Sequence, residues 1–133
     1  MKLYIGAAGV ITKDSKVLLL KRASSLEKYP DHWGFVGGRI DNETEPLRET
    51  AKREVKEETS IDFEPTESFI FTETFTGDTH NIGHCFLGTW KGEPKINEEH
   101  SDLGWFTYEE AVKLPLAFQA REIIEMLRKR QII

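Results

Sequence analysis

Residues 37–59 read GGRIDNETEPLRETAKREVKEET, a glycine pair followed by an acid-rich stretch with the spacing of an amphipathic helix. On a helix that turns about 100° per residue, Glu58 lies on the same side as the apolar Val55, and Glu54 and Glu57 flank that side. Carboxylates beside an apolar face are costly unless a partner neutralises them. The stretch therefore predicts a helix whose carboxylates surround a cation.

The neighbouring residues indicate which cation this would be. Mg²⁺ binds carboxylate oxygens and uses few protein groups beside the phosphates of a substrate, and Mn²⁺ accepts the same ligands. Arg53, one turn before Glu57, is placed to hold a carboxylate in position. Glycines ahead of the helix let the backbone approach a ligand and direct a carbonyl at a metal ion. An isolated charged run is more often a solvated surface, but here basic residues already form the solvent face.

The composition favours a soluble globular protein with one domain over residues 1–133, because the chain is 38% hydrophobic and 31% charged. A net charge of −5 leaves no broad basic field for long nucleic acid, and no stretch has the length of a membrane span. The apolar run at 3–11 contains two glycines and continues into a strand-like segment, so we expect no signal peptide. Cys85 is the only cysteine, which is typical of a cytoplasmic protein.

Short strands and helices alternate along the chain, which indicates a mixed α/β fold. We expect strands at 3–12, 17–20, 32–36, within 63–75, at 84–90 and at 105–106. Thr107 followed by Glu110 is a capping box that predicts a short helix. A last helix, at about 117–130, has a core-facing stripe formed by Ala120, Ile123, Ile124 and Leu127.

The order of residues around the predicted catalytic helix resembles the box of the Nudix hydrolase family, also called MutT-like. That box reads glycine, spacer, glutamate, seven residues, then R-E-apolar-x-E-E-x-G-apolar. Here Gly38 is followed by Glu45 and, seven residues later, by REVKEETSI at 53–61. The resemblance implies an α/β/α sandwich with a mixed β-sheet, in which the catalytic helix follows a Gly-Gly loop.

Three positions depart from the family's pattern. The spacer between Gly38 and Glu45 has six residues instead of five, and Val36 stands where the family often has proline. Ser60 replaces the glycine that ends the box, which forces a helix-ending conformation that costs about 1 kcal/mol with a side chain present. None of the three removes a metal ligand.

The resemblance implies an enzyme that uses Mg²⁺ to hydrolyse a nucleoside diphosphate linked to a further group. The implied metal ligands are Glu54, Glu57, Glu58 and the carbonyl of Gly38. Glu54 is either a ligand or a proton acceptor. Arg53 is implied to orient the carboxylates, with Glu45 behind them.

Residues outside the box are implied to complete the site. Glu98 or Glu99 matches a general base or further metal ligand in several members, and the spacing fits either. Arg22 matches a phosphate-contacting position, although a surface charge at the end of a strand is an equally good interpretation. The candidate substrate-binding residues are Arg22, Trp33, Phe35, His84 and Gln119, and Phe75 is a further aromatic candidate.

A zinc site is a weaker interpretation of one histidine pair. His80 and His84 have the i,i+4 spacing of a helical zinc pair, with Cys85 alongside. Gly83 and the surrounding strand pattern argue against the helix that such a pair needs.

The leading functional hypothesis is a pyrophosphohydrolase of ordinary or oxidised nucleoside triphosphates. Hydrolysis of ADP-ribose or a nucleotide sugar ranks second, because the only proline between Ile61 and His84 is Pro65, which lies too early for the pattern of many ADP-ribose members. A non-catalytic nucleotide-binding module ranks third, because such modules typically lose box glutamates that this chain retains. We expect a small-molecule nucleotide as partner, no long nucleic acid or membrane, and a monomer or homodimer.

Overall fold

The computed structural model describes all residues from 1 to 133, and their contacts divide the chain into two compact units. Unit 1 comprises Met1–Val10 and Val36–Pro94, and unit 2 comprises Ile11–Phe35 and Lys95–Ile133. In chain order the elements are β1 (Lys2–Val10), β2 (Thr12–Lys13), β3 (Lys16–Arg22), β4 (Trp33–Gly34), β5 (Val36–Arg39), α1 (Leu47–Thr59), β6 (Asp62–Thr76), β7 (Thr79–Lys91), β8 (His100–Phe106), α2 (Tyr108–Ala111) and α3 (Ala120–Lys129).

Unit 1 is a mixed four-stranded sheet with the order β5-β1-β7-β6. β1 and β7 pair in parallel, whereas β5 with β1 and β6 with β7 pair antiparallel. The predicted α/β class with a mixed sheet is therefore confirmed. β6 is an edge strand with register shifts at Pro65/Glu67 and Ser68/Ile70, and such bulges accommodate a proline that could not donate to the ladder.

The glycine pair lies inside a strand, where the resemblance implied a loop. Gly37 and Gly38 belong to β5 and pair with β1, and the loop occupies residues 40–46. A β carbon at Gly37 would lie 2.4 Å from the carbonyl oxygen of Ala7, and one at Gly38 would lie 2.4 Å from a carboxylate oxygen of Glu54. At Gly37 the obstacle is backbone, so no side chain fits; at Gly38 it is the Glu54 carboxylate, which a side chain would displace from its bond to Arg53. Both are packing reasons for glycine and not turn reasons.

Helix α1 packs on β1, β5 and β6. It buries Ala51 and Val55, and a β carbon at Gly9 would lie only 2.9 Å from Val55, so a glycine in β1 lets the helix approach the sheet. Thr44 bonds Asn42 and does not cap the helix, and Pro46 takes the cap position without a side-chain hydrogen bond. Proline suits this position because the first amides of a helix lack intrahelical acceptors.

Unit 2 is built around β3, which pairs with β2, β4 and β8. Its central residues Leu18, Leu19 and Leu20 are fully buried. The capping box of α2 is present, and the four stripe residues predicted for the last helix are the buried residues of α3. The segment 32–36, expected as one strand, is divided between β4 and β5, because Trp33 pairs with Lys21 and Val36 with Gly9. None of the three helices has the length and apolar character needed to cross a membrane.

The end of α1 provides a stability prediction. Ser60 caps the helix in the left-handed conformation, with φ of 66°, as the departure from the box glycine predicts. Replacing Ser60 with glycine removes the strain of a β carbon there and is expected to raise the free energy of unfolding by about 0.5–1 kcal/mol. Urea denaturation of the parent, S60G and S60A measures this. S60A keeps the β carbon and should gain nothing; a loss of stability in S60G would contradict the argument.

Candidate functional site

The guanidinium of Arg53 is the centre of a carboxylate cluster on α1. It binds Glu45 through two hydrogen bonds, from Nε at 2.8 Å and from Nη2 at 2.9 Å. Its Nη1 donates to Glu54 at 2.7 Å and to Glu57 at 3.2 Å, and Nη2 also donates to the carbonyl of Arg39 at 2.8 Å. Because a guanidinium is planar and offers five donors, one side chain fixes three carboxylates and the end of β5.

Glu45 is the anchor of that guanidinium. Its carboxylate accepts from the backbone amide of Asp41 at 2.9 Å and from the hydroxyl of the buried Thr50 at 2.8 Å. The Glu45 side chain keeps only 12% exposure. The hydrogen bonds from Arg53, followed by those from Asp41 and Thr50, lower the pKa of Glu45 to about 2. Glu45 is therefore a permanent anion at neutral pH.

The six-residue spacer is absorbed by a turn at Asn42. The amide of Glu45 donates to the Asn42 carbonyl at 3.1 Å, and both the amide and the hydroxyl of Thr44 donate to the Asn42 side chain. Asn side chains favour such turns because they hydrogen-bond the backbone two residues further on. Glu45 consequently reaches Arg53 despite the longer spacer.

Glu58 is held separately from the guanidinium contacts. It is one of the few buried charged residues, with 8% exposure, as its position beside the apolar face predicts. Its carboxylate accepts from the amide of Gly37 at 2.8 Å, which connects α1 to β5. Burial of this carboxylate is tolerated because it is hydrogen-bonded, and no buried side-chain polar atom in the structure lacks a partner.

The chemistry of this donor set suits a hard divalent cation. Glu45, Glu54 and Glu57 contact a single guanidinium, so the cluster keeps an excess of negative charge. Glu57 and Glu58 lie in the last turn of α1, where the helix dipole disfavours anions by roughly 0.3–1 kcal/mol each. Glu57 is also the most open carboxylate, with 55% of its side chain exposed.

In this structure the positive charge among these carboxylates is the guanidinium of Arg53. No group of three or more His, Cys, Asp or Glu side chains converges as metal ligands would. The residues fit a divalent metal in ligand type and charge, but their side chains do not converge on one point in this arrangement.

The strand register aligns His84 with this cluster. Gly38 lies opposite Ala7, Ala7 opposite His84, and His84 opposite Phe71. Opposed residues point to the same face of a sheet, and the β-carbon direction of Gly38 points at Glu54. His84 therefore shares the face that carries the carboxylates, roughly 10 Å from Gly38 across two strand spacings.

Both faces of the His84 ring are covered. Its centroid lies 4.0 Å from that of Phe71, in a stacked arrangement, and 4.2 Å from that of Phe86. The hydroxyl of Ser68 bonds Nε2. Burial lowers the pKa of His84, so the imidazole is neutral at pH 7. His84 can therefore offer a ring edge to a ligand, but not a stacking face.

The remaining candidate residues belong to unit 2. Arg22 ends β3 and donates from Nε to the carbonyl of Lys28 at 3.0 Å. Glu98 and Glu99 are both exposed and precede β8, and the carbonyl of Glu99 accepts from the amide of Ala23 at 2.9 Å.

Of the three further unit 2 candidates, Trp33 bonds the segment 115–119 and Gln119 belongs to it. Trp33 packs edge to face on Phe106 at 5.0 Å, and its backbone bonds Pro115 and Ala117. Phe35 follows β4 and is half-buried. Gln119 immediately precedes α3, and its carbonyl accepts from Ile123 at 3.1 Å.

Sequence reasoning missed two contributors to the arrangement in unit 1. Thr50, which is fully buried, holds Glu45 through its hydroxyl, and a polar residue on the inner side of a predicted helix was the available signal. Phe71, which is 65% exposed, covers His84. The alternation of Phe69, Phe71 and Phe75 suggests a strand, but only the pairing register shows which ring meets which partner.

Comparison with known proteins gives a consistent result. A sequence model described as NUDIX domain matches residues 3–127. The CTP pyrophosphohydrolase of Escherichia coli K12 is 28% identical over 118 residues, covering 88% of this chain and 85% of that protein. The nucleoside triphosphatase NudI of Escherichia coli O139:H28 is 28% identical over 129 residues, covering 88% and 91%.

Solved structures resemble the whole chain. The MutT NUDIX hydrolase from Burkholderia pseudomallei superposes with a TM-score of 0.85 at 27% identity, covering 96% of this chain and 99% of that one. The NUDIX domain of Shewanella oneidensis NrtR, solved with ADP ribose, superposes with a TM-score of 0.73 at 26% identity, covering 98% and 88%.

The Glu45 anchor predicts a pH dependence of stability. Its pKa of about 2 lies below the ordinary value of 4.5, so the stabilisation it provides is complete above about pH 4.5 and is lost as pH falls toward 2. We expect the difference in unfolding free energy between the parent and E45Q to be largest at pH 5–7 and to shrink toward pH 3. Urea titrations in the presence of a chelator measure this difference in unfolding free energy. E49Q serves as the control, because it removes an exposed carboxylate from the same helix. A pH-independent difference would contradict the anchor's role.

Proposed function

The chain belongs to the NUDIX domain family, and on that premise we propose that it hydrolyses a nucleoside triphosphate to the monophosphate and pyrophosphate with the help of Mg²⁺. The family that the box indicated is confirmed by a match over residues 3–127. The enzyme class, a Nudix pyrophosphohydrolase, is confirmed at the level of the family. The substrate, the metal and the residue roles below are our proposal.

The carboxylate cluster around Arg53 is the observation that carries the proposal. Arg53 contacts Glu45, Glu54 and Glu57, which are box positions separated by up to twelve residues in the chain. Such a concentration of partly buried carboxylates is destabilising by itself. A divalent cation with the phosphates of a nucleotide is the ligand that balances its charge.

We assign the metal to Glu54, Glu57 and Glu58, together with the carbonyl of Gly38. Mn²⁺ would suit the same oxygens. When bound, the metal would neutralise phosphate charge and lower the pKa of a bound water. Arg53 acts as a positioning residue, because the bond to Glu45 fixes the guanidinium from which Glu54 and Glu57 are held.

The phosphate role, and the first candidates for the proton role, fall to residues outside the helix. Glu98 or Glu99, both exposed, would accept the proton of the attacking water, with Glu54 as the alternative acceptor. Arg22 would contact phosphate, a role that suits a guanidinium. Attack on a phosphorus surrounded by negatively charged oxygens requires a positioned water and positive charge beside the phosphate. The carboxylates would serve the water, and the guanidinium would serve the phosphate.

The remaining candidates would contact the nucleoside. His84 would offer its ring edge from the carboxylate face of the sheet, because Phe71 and Phe86 cover its ring faces. Trp33, Phe35 and Gln119 would contact the base or ribose. The partner is thus a small nucleotide.

The names of two relatives support a nucleoside triphosphate as substrate, since they describe a CTP pyrophosphohydrolase and a nucleoside triphosphatase. The ADP ribose bound to the NrtR domain keeps ADP-ribose or nucleotide-sugar hydrolysis as the second candidate. A non-catalytic nucleotide-binding module ranks third, because Glu54, Glu57 and Glu58 are all present. A single domain over residues 1–133, a cytoplasmic location and a monomeric or homodimeric state remain predictions from the sequence.

The first test is a hydrolysis screen with the parent protein, E57Q and the control E49Q. Ordinary and oxidised nucleoside triphosphates, ADP-ribose, nucleotide sugars and dinucleoside polyphosphates are incubated with and without Mg²⁺, and products are separated to identify the broken anhydride. We expect monophosphate and pyrophosphate from a triphosphate, with loss of turnover on the order of 100-fold or more in E57Q, because removing one anionic ligand weakens the metal site. E49Q should retain activity. Calorimetric Mn²⁺ titration should show weaker binding in E57Q only.

Other results of the screen have defined meanings. Cleavage of ADP-ribose or a sugar nucleotide alone would replace the proposed substrate with the second candidate. No turnover of any compound, with nucleotide binding that E57Q leaves unchanged, would remove the catalytic assignment and leave a binding module.

A further inference from the structure

A cavity of about 610 Å³ lies within unit 1, apart from the carboxylate cluster around Arg53. Its walls come from α1, from the beginning of β6 and from the end of β7, and no glutamate of the box lines it. Small-molecule sites in proteins typically measure about 300–1,000 Å³, so the cavity has the size of a ligand site. The proposed hydrolysis gives it no role.

The cavity borders the side of α1 that faces away from the carboxylates. Lys52 and Lys56 line it, and both lie about 160° around the helix from Glu54. Arg48 continues the same basic row one turn earlier, because residues four apart lie on one side of a helix. The sequence indicates this row as the solvent face of the helix, and the structure shows that it borders a concave surface.

Two lysines share the carboxylate of Asp62 at the cavity. The amine of Lys56 donates to it at 2.9 Å, and Lys91 lies directly opposite Asp62 in the pairing of β6 with β7. The hydrogen bond from Lys56 lowers the pKa of Asp62, and the charge of Lys91 adds a smaller lowering. Asp62 is therefore an anion at neutral pH with two positive charges beside it.

The carboxylate of Glu64 is shared in the same way. It lies 3.2 Å from the amine of Lys52 and 3.9 Å from the guanidinium of Arg48. Four cations at the cavity thus share two carboxylates, which leaves an excess of two positive charges in a chain whose net charge is −5. The ion pairs are about half-exposed, and pairs of this kind are weak enough for a lysine to turn to another anion.

The cavity also has an apolar wall. Ile61 and Phe63 line it and are buried, and Trp90, which is half-buried, lies opposite Phe63 in the strand pairing. Thr89 adds a hydroxyl beside them. An apolar wall with a few charged and polar groups is the usual construction of a small-molecule site, whereas a surface of ion pairs alone does not require such a wall.

A ligand that matches these features carries about two negative charges at one end and an apolar body at the other. A phosphate monoester is close to doubly charged at neutral pH. We propose that the cavity binds an organic phosphate monoester, with the phosphate among Lys52, Lys56 and Lys91 and the organic part against Trp90. This site is independent of the proposed function, although the monophosphate product of that reaction belongs to the same class of ligand.

The test is an NMR titration in EDTA, so that no divalent metal contributes. Phenyl phosphate, CMP, AMP, glycerol 3-phosphate and inorganic phosphate are each added to the isotope-labelled protein, up to about 10 mM. We expect phenyl phosphate or a nucleoside monophosphate to shift the indole signal of Trp90 and the amide signals of Thr89 and Lys91, with a Kd of about 1 mM or lower. The amides of Gly38 and Arg53, at the carboxylate cluster, should not shift. W90F identifies the Trp90 indole signal.

The organic part of the ligand should contribute to affinity. Glycerol 3-phosphate and inorganic phosphate carry the same charged group without an apolar body, so both should bind more weakly than the tightest ester. Tighter binding of CMP or AMP than of phenyl phosphate would identify the product of the proposed reaction as the ligand. Tighter binding of phenyl phosphate would indicate another phosphate monoester, and either order supports the site.

Charge variants should change the affinity in opposite directions. K91E reverses one cation and should weaken binding of the tightest ester about tenfold, because a charged contact to the phosphate is lost. D62N removes the carboxylate that competes for Lys56 and should strengthen binding severalfold, which damage to the fold would not do. K95E reverses an exposed lysine outside the cavity and should leave the affinity unchanged. Circular dichroism verifies that each variant is folded.

Several results would overturn the proposal. One is the absence of any shift at Trp90 with every ester, and another is a set of shifts confined to the carboxylate cluster. Inorganic phosphate binding as tightly as the esters would leave only an unspecific cationic surface, as would equal losses in K91E and K95E. Failure of the proposed function would appear instead in the hydrolysis screen, because the titrations need neither metal nor turnover and E57Q should leave them unchanged.

Discussion

The two-point ion pair between Arg53 and Glu45 is the interaction on which the rest of the site depends. It joins the helix to the loop before it, and the same guanidinium reaches the carbonyl of Arg39 at the end of β5. Glu54 and Glu57 are held from that fixed group. Because the pair is shielded and bidentate, it has the geometry in which an ion pair is worth more than an exposed surface pair. A lysine could not make this set of planar contacts.

Glycines at three positions of the sheet, where a side chain would clash, are the second constraint on unit 1. A β carbon at Gly38 would occupy the position of the Glu54 carboxylate, and Gly37 presents its amide to Glu58 where Ala7 leaves no room for a side chain. A third glycine, in β1, lets α1 approach the sheet. Because α1 lies close to the sheet, its carboxylates can reach backbone groups of β5, as Glu58 reaches the amide of Gly37. The glycine pair therefore acts through packing, and its strand conformation is compatible with this role.

Backbone strain has different meanings in the two units. At Ser60 the left-handed residue ends a helix and its amide bonds the carbonyl of Lys56, so the conformation follows from helix termination. At Tyr29 and Phe118 the strained residues are large, exposed and in mutual contact across a long sequence separation. A stop signal explains the first case. In the second case the two rings contact each other and Arg22 lies over Phe118, so the strain accompanies side-chain packing and not helix termination.

The sequence by itself determined the features that depend on local periodicity and short-range chemistry: the helix that carries the carboxylates, the capping box at Thr107, the buried stripe of α3 and the strained cap at Ser60. Spacing along one helix suffices for these, so the order of the box residues already indicated the family. Only the tertiary structure decided that the glycine pair belongs to a strand, that 32–36 divides between two sheets and that His84 is enclosed by aromatic rings. The physical reason is that strand pairing and ring stacking join residues far apart in the chain, whose register no local pattern specifies.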